Sequence, residues 1–202
     1  MRCVCVAAIV LASASVASAG LTSVDWQTPG DNLLTRDSAN GLDWLDWTQG
    51  LSLSYIDMQA QLAPGGQFEG FRYATQSELN AFMISAGVPD LGGRTVANVP
   101  AVTSILSQLG ANDLFSFLGA GNSSLAYLYD ASNLPPGSGI TCAAFTIETF
   151  DSPVTAKAGE LGIGVNHIAF GMGHALVRQA PAPGSLALLG LGGLITARRR
   201  RS

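Results

Sequence analysis

The chain of 202 residues holds two histidines, His167 and His174, and these are the first residues that could do chemistry. A neutral imidazole serves as a general base or as a metal ligand near neutral pH. The two positions are seven residues apart, so on a regular strand their side chains point to opposite faces and do not share one metal ion. A bulge at Gly171 or Gly173 would change that register. A packed or hydrogen-bonded histidine is the other interpretation, and the sequence predicts no metal site and no cofactor.

A nucleophilic pair would need Cys142, or one of the serines, beside a histidine. The sequence contains neither a Gly-x-Ser-x-Gly elbow nor a cysteine-centred local signature. We therefore predict that the protein is not an enzyme and that it has no catalytic residues.

Fourteen acidic residues offer carboxylates for metal binding or for acid–base chemistry. Asp43, Asp46 and Asp57 could hold calcium, but no Asp-x-Asp-x-Asp-Gly loop is present to arrange their oxygens. Solvated carboxylates are the other interpretation. Glycoside hydrolysis needs only two carboxylates at the right separation in space. An exported hydrolase that uses scattered carboxylates or His174 therefore stays as the alternative function.

Two further groups of side chains could contact a ligand. Arg72 and Glu78 flank the start of a predicted helix, and an internal salt bridge between them is expected to organise that turn. Trp26, Trp44 and Trp47 could stack on sugar rings, although packing in the core or at its edge is the alternative role for tryptophan.

The segment that contains Trp44 and Trp47 is predicted to be a strand. Residues 41–47 alternate apolar with polar or acidic side chains, which favours a strand over a helix. The inward set is Leu42, Trp44 and Leu45, and the more exposed set is Asp43 and Asp46.

Two capped helices are predicted after this strand. Ser54 is the expected cap of the first, which stops at residues 64–66. The side chains near helical spacing in it are Ile56, Met58 or Gln59, and Leu62. A short strand at 71–74 leads to the second helix, where Thr75 and Glu78 have the capping-box pattern. The apolar face of that helix is expected to contain Leu79, Phe82 and Met83.

The rest of the chain between residues 20 and 179 is predicted to be mostly strand. A weaker helix is expected at 99–109, and strands are expected at 126–129, 143–150 and 167–178, separated by clusters of Gly, Pro, Asn and Ser. The sequence therefore predicts an α+β fold: a single compact domain of short strands and two or three helices.

This predicted domain is strongly acidic. It contains five basic and all fourteen acidic residues of the chain, a formal charge of −9. Such a charge repels nucleic acid and other polyanions, which excludes nucleic acid as a partner. Cys142 is the only cysteine in this part of the sequence, so no disulfide within it is expected.

The first 19 residues have the pattern of a secretory signal peptide. Arg2 precedes an apolar run at 4–11, and small residues follow it. The apolar run is shorter than the roughly 20 residues of a membrane span. We predict cleavage by signal peptidase between Ala19 and Gly20, with Ala17 and Ala19 in the two small-residue subsites.

The last 23 residues, 180–202, combine three features that direct a chain to a membrane. The first is the Pro-x-Pro element, with Pro181, Pro183 and the following Gly184. The second is an uncharged stretch of 13 residues, 185–197, which as a helix is about 20 Å long against a hydrocarbon core of about 30 Å. The third is a basic cluster, which keeps its end of the chain cytoplasmic. Its members are Arg198, Arg199, Arg200 and Arg201.

This tail resembles the PEP-CTERM sorting signal, although Ala182 stands where that signal most often has Glu. An ordinary C-terminal tail anchor is the competing interpretation. The resemblance implies an exosortase, an integral-membrane cysteine protease-like enzyme, as the partner that recognises and processes the tail. It also implies transient anchoring in the membrane and delivery to the cell surface or to the extracellular polysaccharide matrix. Many unrelated exported proteins carry the same tail, some ice-binding proteins among them.

The body is similar to exported bacterial domains with a Trp/Phe-Arg-x-Ala/Pro-Thr-x-x-Glu-Leu signature, some of which are grouped with C-type-lectin-like folds. The similarity implies a related fold and an exported, surface-located protein, and it implies no catalytic residues. It involves Gly41, Trp44, Arg72, Ala74, Thr75, Glu78, Leu79 and residues 173–178.

Taken together, these patterns predict an exported, non-catalytic protein of the cell surface or extracellular matrix, with carbohydrate as the candidate ligand. The exported hydrolase is the alternative. Ice binding is a third hypothesis. It would require a flat array of regularly spaced threonines, and no such array is visible in the sequence.

Overall fold

A computed structural model describes residues 20–51, 53–112, 123–128, 139–149, 153–164 and 172–181. Within these ranges the chain forms three α-helices and two five-stranded sheets, which confirms the predicted α+β fold.

The first sheet has the strand order β1-β2-β3-β10-β4, and every neighbouring pair in it is antiparallel. Its strands are β1 (Leu21–Val24), β2 (Leu34–Asp37), β3 (Leu42–Leu45), β4 (Arg72–Tyr73) and β10 (Leu176–Gln179). The last strand in the described ranges, β10, is thus inserted between two strands from the N-terminal half. A 3-10 helix, Trp47–Gly50, follows β3 directly.

The second sheet has the order β5-β8-β7-β6-β9, with β6 and β9 parallel and the other pairs antiparallel. Its strands are β5 (Arg94–Thr95), β6 (Ser123–Tyr127), β7 (Gly139–Glu148), β8 (Thr155–Gly164) and β9 (Gly173–His174). The predicted strand at 167–178 is, in its described part, two strands rather than one, because β9 and β10 belong to different sheets. Ala175 between them instead accepts a hydrogen bond from Ala74 N at 2.8 Å.

The helices begin where the predicted caps lie. Ser54 and Asp57 form a capping box for α1 (Tyr55–Leu62), and Thr75 and Glu78 form one for α2 (Gln76–Ser85). The third helix, α3 (Val99–Leu109), is the predicted helix at 99–109 and has a proline in its first turn. On α1 the buried side chain is Met58, whereas Ile56 is 62% exposed. The apolar face of α2 is buried as predicted at Leu79, Phe82 and Met83.

Hydrophobic clusters cover both faces of the first sheet. Along β3 the side chains alternate, so Trp44 joins the cluster formed with α2, α3 and the second sheet, while Leu45 joins a cluster with α1. The Trp44 ring lies 4.6 Å from that of Phe82 between centroids, and the Trp47 ring stacks on Phe145 at 5.3 Å. Both tryptophans have no exposed surface, so they belong to the core and are closed to a sugar.

The prediction that Asp43 is exposed is wrong, because this carboxylate is fully buried. Arg36 on β2 donates to it through Nε at 2.7 Å and Nη2 at 3.0 Å, and Arg178 Nε on β10 lies 3.6 Å from its Oδ2. The three residues are direct cross-strand neighbours. An aspartate can be buried in the middle of a sheet only because two flanking strands supply these cations. Neither β2 nor the register of β10 was predicted from the sequence.

The carboxylate of Asp46 is partly buried rather than exposed. Its Oδ1 accepts from Thr48 N at 2.8 Å and caps the 3-10 helix. Burial raises the pKa of this carboxyl, and the hydrogen bonds from Thr48 oppose that shift.

Candidate functional site

An open groove of about 650 Å³ runs between α1 and the segment that links β4 to α2. Its size lies within the range of about 300–1,000 Å³ that is usual for small-molecule sites. Its lining residues are Tyr55, Gln59, Leu62, Ala63, Phe71, Arg72, Tyr73, Thr75 and Glu78.

The groove has an aromatic base. Tyr55, the first residue of α1, stacks on Tyr73 of β4, with 4.6 Å between ring centroids and 25° between ring planes. Phe71 lies beside them, with its ring perpendicular to that of Trp26 at 5.7 Å between centroids and with the Arg178 guanidinium carbon 5.1 Å from its own centroid. Tyr73 and Phe71 are buried and Tyr55 is half-buried, so the base of the groove is a packed surface that needs no rearrangement.

An ion pair forms one wall of the groove. Arg72 donates through Nη1 to Glu78 Oε2 at 2.8 Å and through Nη2 to Glu78 Oε1 at 2.5 Å, a bidentate arrangement. The predicted salt bridge is therefore confirmed. The pair is fastened at both ends, because Arg72 Nη1 also donates to Tyr73 O and Thr75 N donates to Glu78 Oε2. The Arg72 hydrogen bond and charge lower the pKa of Glu78 to about 2, so the pair stays ionised at neutral pH and carries no net charge.

The histidine predicted as a candidate base, His174, lies behind Tyr73 and does not line the groove. Its Nε2 is 3.2 Å from Leu53 O, which can only accept, so Nε2 carries the proton. Its Nδ1 is therefore the acceptor for the Tyr73 hydroxyl at 2.7 Å. Burial lowers the pKa of His174 to about 4 against the opposing effect of the Leu53 hydrogen bond, so the ring is neutral at pH 7. In this arrangement His174 orients Tyr73, and both of its nitrogens are engaged.

The three aspartates considered for calcium do not form one site. Asp43 is paired with arginines, Asp46 caps the 3-10 helix, and Asp57 Oδ2 accepts from Ser54 Oγ at 2.6 Å in the capping box of α1. In the described ranges, no group of three or more His, Cys, Asp and Glu residues has an arrangement that could hold a metal ion. Cys142 lies in β7, and His174 in β9 is separated from it by β6. His167 lies outside the described residues.

Two of the predicted processing residues belong to the described ranges. Gly20 O accepts from Ser38 Oγ at 3.2 Å, and Pro181 is exposed directly after β10. In the part of the chain that the structure describes, no helix is both long and apolar enough to cross a membrane. The other predicted processing residues lie outside those ranges: Ala17, Ala19, Pro183, Gly184, Arg198, Arg199, Arg200 and Arg201.

The aromatic residues of the groove were not singled out from the sequence. Tyr55 follows a helix cap and Tyr73 lies in a two-residue strand, and neither position has a local pattern that predicts their contact. The predicted salt bridge between Arg72 and Glu78 was the one local signal that pointed to this surface.

Comparison with known proteins identifies the C-terminal tail. Residues 179–201 match the PEP-CTERM protein-sorting motif, which confirms the resemblance seen in the sequence. No curated protein and no solved structure matches the chain. A motif of this kind indicates export, transient anchoring in the membrane and processing by an exosortase-like membrane protein.

Proposed function

We propose that this protein is delivered to the cell surface or the extracellular polysaccharide matrix after exosortase processing, and that its groove binds a neutral saccharide there without catalysing a reaction. The observation that carries this proposal is the combination, in one groove, of an aromatic base and a bidentate Arg72–Glu78 pair. Aromatic rings pack against the apolar faces of sugar rings, and planar charged groups offer paired donors and acceptors to neighbouring hydroxyls.

The charge of the protein supports a neutral ligand over an anionic one. The segment 20–179 has a formal charge of −9, which repels polyanions at long range. Among the described residues, Arg72 is the only cation that lines the groove, and Glu78 neutralises it. An acidic polysaccharide therefore gains no net attraction, whereas hydroxyl groups retain hydrogen-bonding partners.

The hydrolase alternative receives less support from the same residues. Glycoside hydrolysis uses two carboxylates, but in the part of the chain that the structure describes Glu78 is the one carboxylate that lines the groove, and it is held by Arg72. The candidate base His174 has both ring nitrogens engaged in hydrogen bonds. A non-catalytic role is therefore proposed.

The saccharide proposal predicts that Tyr55→Ala weakens binding about tenfold, because the substitution removes the half-exposed ring of the aromatic base. The matched control is Ile56→Ala, which changes the next residue of α1, an exposed side chain outside the groove lining. The probes are cellotetraose, maltotetraose, galactotetraose and, as an acidic saccharide, tetragalacturonate. Binding is measured by titration calorimetry.

We expect at least one neutral probe to bind, tetragalacturonate to bind at least tenfold more weakly, and Ile56→Ala to leave the affinity unchanged. Equal losses for Tyr55→Ala and Ile56→Ala would contradict the location of the site. Preference for tetragalacturonate, or cleavage of a neutral probe, would contradict the proposed ligand class or the non-catalytic role.

The sorting proposal predicts that a tail variant stays in the membrane. In an exosortase-bearing host, the native protein should leave the membrane fraction trimmed near Ala19 and Pro183. A variant in which Pro181, Pro183 and the arginines at 198–201 are replaced should remain there with its tail intact. Fractionation with intact mass measures both outcomes. If the native protein keeps its tail and stays in the membrane, the tail is an ordinary membrane anchor and the sorting proposal is wrong.

A further inference from the structure

Both ends of the described body leave from the same end of the first sheet. β1 begins at Leu21, opposite Asp37 at the end of β2. β10 ends at Gln179, opposite Leu42 at the start of β3. The turn 38–41 joins β2 to β3 between these two points. The predicted signal peptide and the sorting tail are therefore attached on either side of one turn.

Hydrogen bonds fasten each chain end to that turn. Ser38 Oγ donates to Gly20 O at 3.2 Å, and Ala180 N donates to Gly41 O at 2.9 Å. Gly41 has a positive φ of 66°, which the close turn requires. Three strand spacings separate β1 from β10, so the two exits lie about 14 Å apart.

Only a short stretch of chain separates the fold from the part of the tail that is expected to enter the membrane. Pro181 is the first residue beyond the hydrogen bond of Ala180, and the uncharged stretch begins at Ser185. Four fully extended residues span at most about 14 Å. While that stretch is inserted in the bilayer, the turn 38–41 must lie close to the lipid headgroups.

The charges at this end differ from those of the acidic body. Ser38, Ala39 and Asn40 are exposed and uncharged. The acidic side chains in the flanking strands, Asp37 and Asp43, are fully buried. Asp37 Oδ2 accepts a hydrogen bond from Asn40 Nδ2 at 2.6 Å, so this carboxylate is bound within the turn and does not face the solvent.

Two cations lie beside this end of the sheet, Arg36 on β2 and Arg178 on β10. The side chains of Arg36 and Arg178, which hold Asp43, are 32% and 31% exposed. With Asp37 and Asp43 these arginines give this end of the sheet a formal charge of zero, and their exposed parts can contact anionic headgroups. This end of the sheet can therefore approach anionic headgroups, which the net charge of the body would otherwise oppose.

We propose that the turn 38–41 and the adjoining strand ends form the membrane-facing surface of the precursor, in contact with lipid headgroups until the tail is processed. The proposal rests on the proposed sorting function, in which the tail inserts before processing. It adds an orientation: the turn rather than the groove contacts the headgroups, because the residues that line the groove are distinct from those of the turn.

The test uses a photoreactive residue at each end of the sheet. The protein is expressed with its own signal in a host that lacks an exosortase, and is reconstituted in vesicles of phosphatidylethanolamine and phosphatidylglycerol. Ala39→p-benzoylphenylalanine probes the turn. Thr28→p-benzoylphenylalanine is the matched control, because Thr28 is exposed in the connection at the opposite ends of β1 and β2. Intact mass measures the yield of lipid adduct.

We expect at least fivefold more lipid adduct at position 39 than at 28. A spacer of twelve Gly and Ser residues between Ala180 and Pro181 should abolish most of that difference. Equal yields, no effect of the spacer, or adducts with protein alone would overturn the orientation. Vesicle flotation separates the two proposals: a protein that floats with equal yields contradicts the orientation only, whereas one that does not float contradicts tail insertion and the orientation together.

Discussion

Gly173→Ala is expected to lower the free energy of unfolding by about 3 kcal/mol or more, and the Tm by about 6–12 °C. A Cβ at this position would overlap the backbone carbonyl of Trp47 and lie 2.8 Å from the Trp47 Cβ. Backbone atoms cannot move aside as the tip of a long side chain can. The substitution must therefore displace β9 or the fully buried Trp47 ring that stacks on Phe145. Urea unfolding followed by tryptophan fluorescence measures the loss.

The matched control for this prediction is Gly30→Ala. Gly30 has a positive φ of 88°, but no atom lies within 4 Å of an added Cβ. The expected cost is about 1 kcal/mol, from backbone strain alone. If the two variants lose the same stability, the close approach of β9 to the 3-10 helix is not a constraint on the fold.

Acidification from pH 7 to pH 4 is expected to remove up to about 3 kcal/mol of stability through His174. The pKa of this histidine is about 4 in the fold, lowered by burial, against an ordinary value of 6.5. Between those values the unfolded chain binds a proton that the folded chain does not. Acid therefore favours unfolding as the pH falls through this window. Unfolding free energies measured at intervals from pH 7 to pH 4 test the slope.

His174→Gln should flatten that slope, because the amide does not titrate. Tyr73→Phe serves as the control: it removes the hydroxyl that donates to His174 Nδ1 but keeps the ring buried. This variant should lose about 1 kcal/mol at pH 7 and keep the slope. Parallel pH profiles for the native protein and His174→Gln would show that another group dominates acid unfolding.

The helix starts could be predicted because their determinants are local. Ser54 with Asp57, and Thr75 with Glu78, satisfy backbone amides within three residues of themselves. The sorting tail is also local, because an exosortase-type motif is defined by a proline element, an uncharged stretch and terminal arginines in a row. Neither inference required knowledge of what packs against these segments.

Strands and buried charges were harder to predict because their determinants are distant from them in the sequence. β8 is rich in Gly and Ala and lacks the alternation that indicates a strand, yet it pairs along its whole length with β7. Asp43 has the sequence pattern of an exposed carboxylate, and its burial depends on Arg178, which reaches β3 only after most of the chain has intervened.

The sequence by itself therefore determined the acidic charge, the α+β class, the helix caps and the sorting motif. Only the tertiary structure decided the groove. Its base joins Tyr55 to Tyr73, and Tyr73 is in turn oriented by His174, a partner 101 residues away. The imidazole tautomer depends on Leu53, 121 residues away. Caps and motifs arise from residues that are neighbours in the chain, whereas a binding surface arises from residues that become neighbours only when the last strand inserts between β3 and β4.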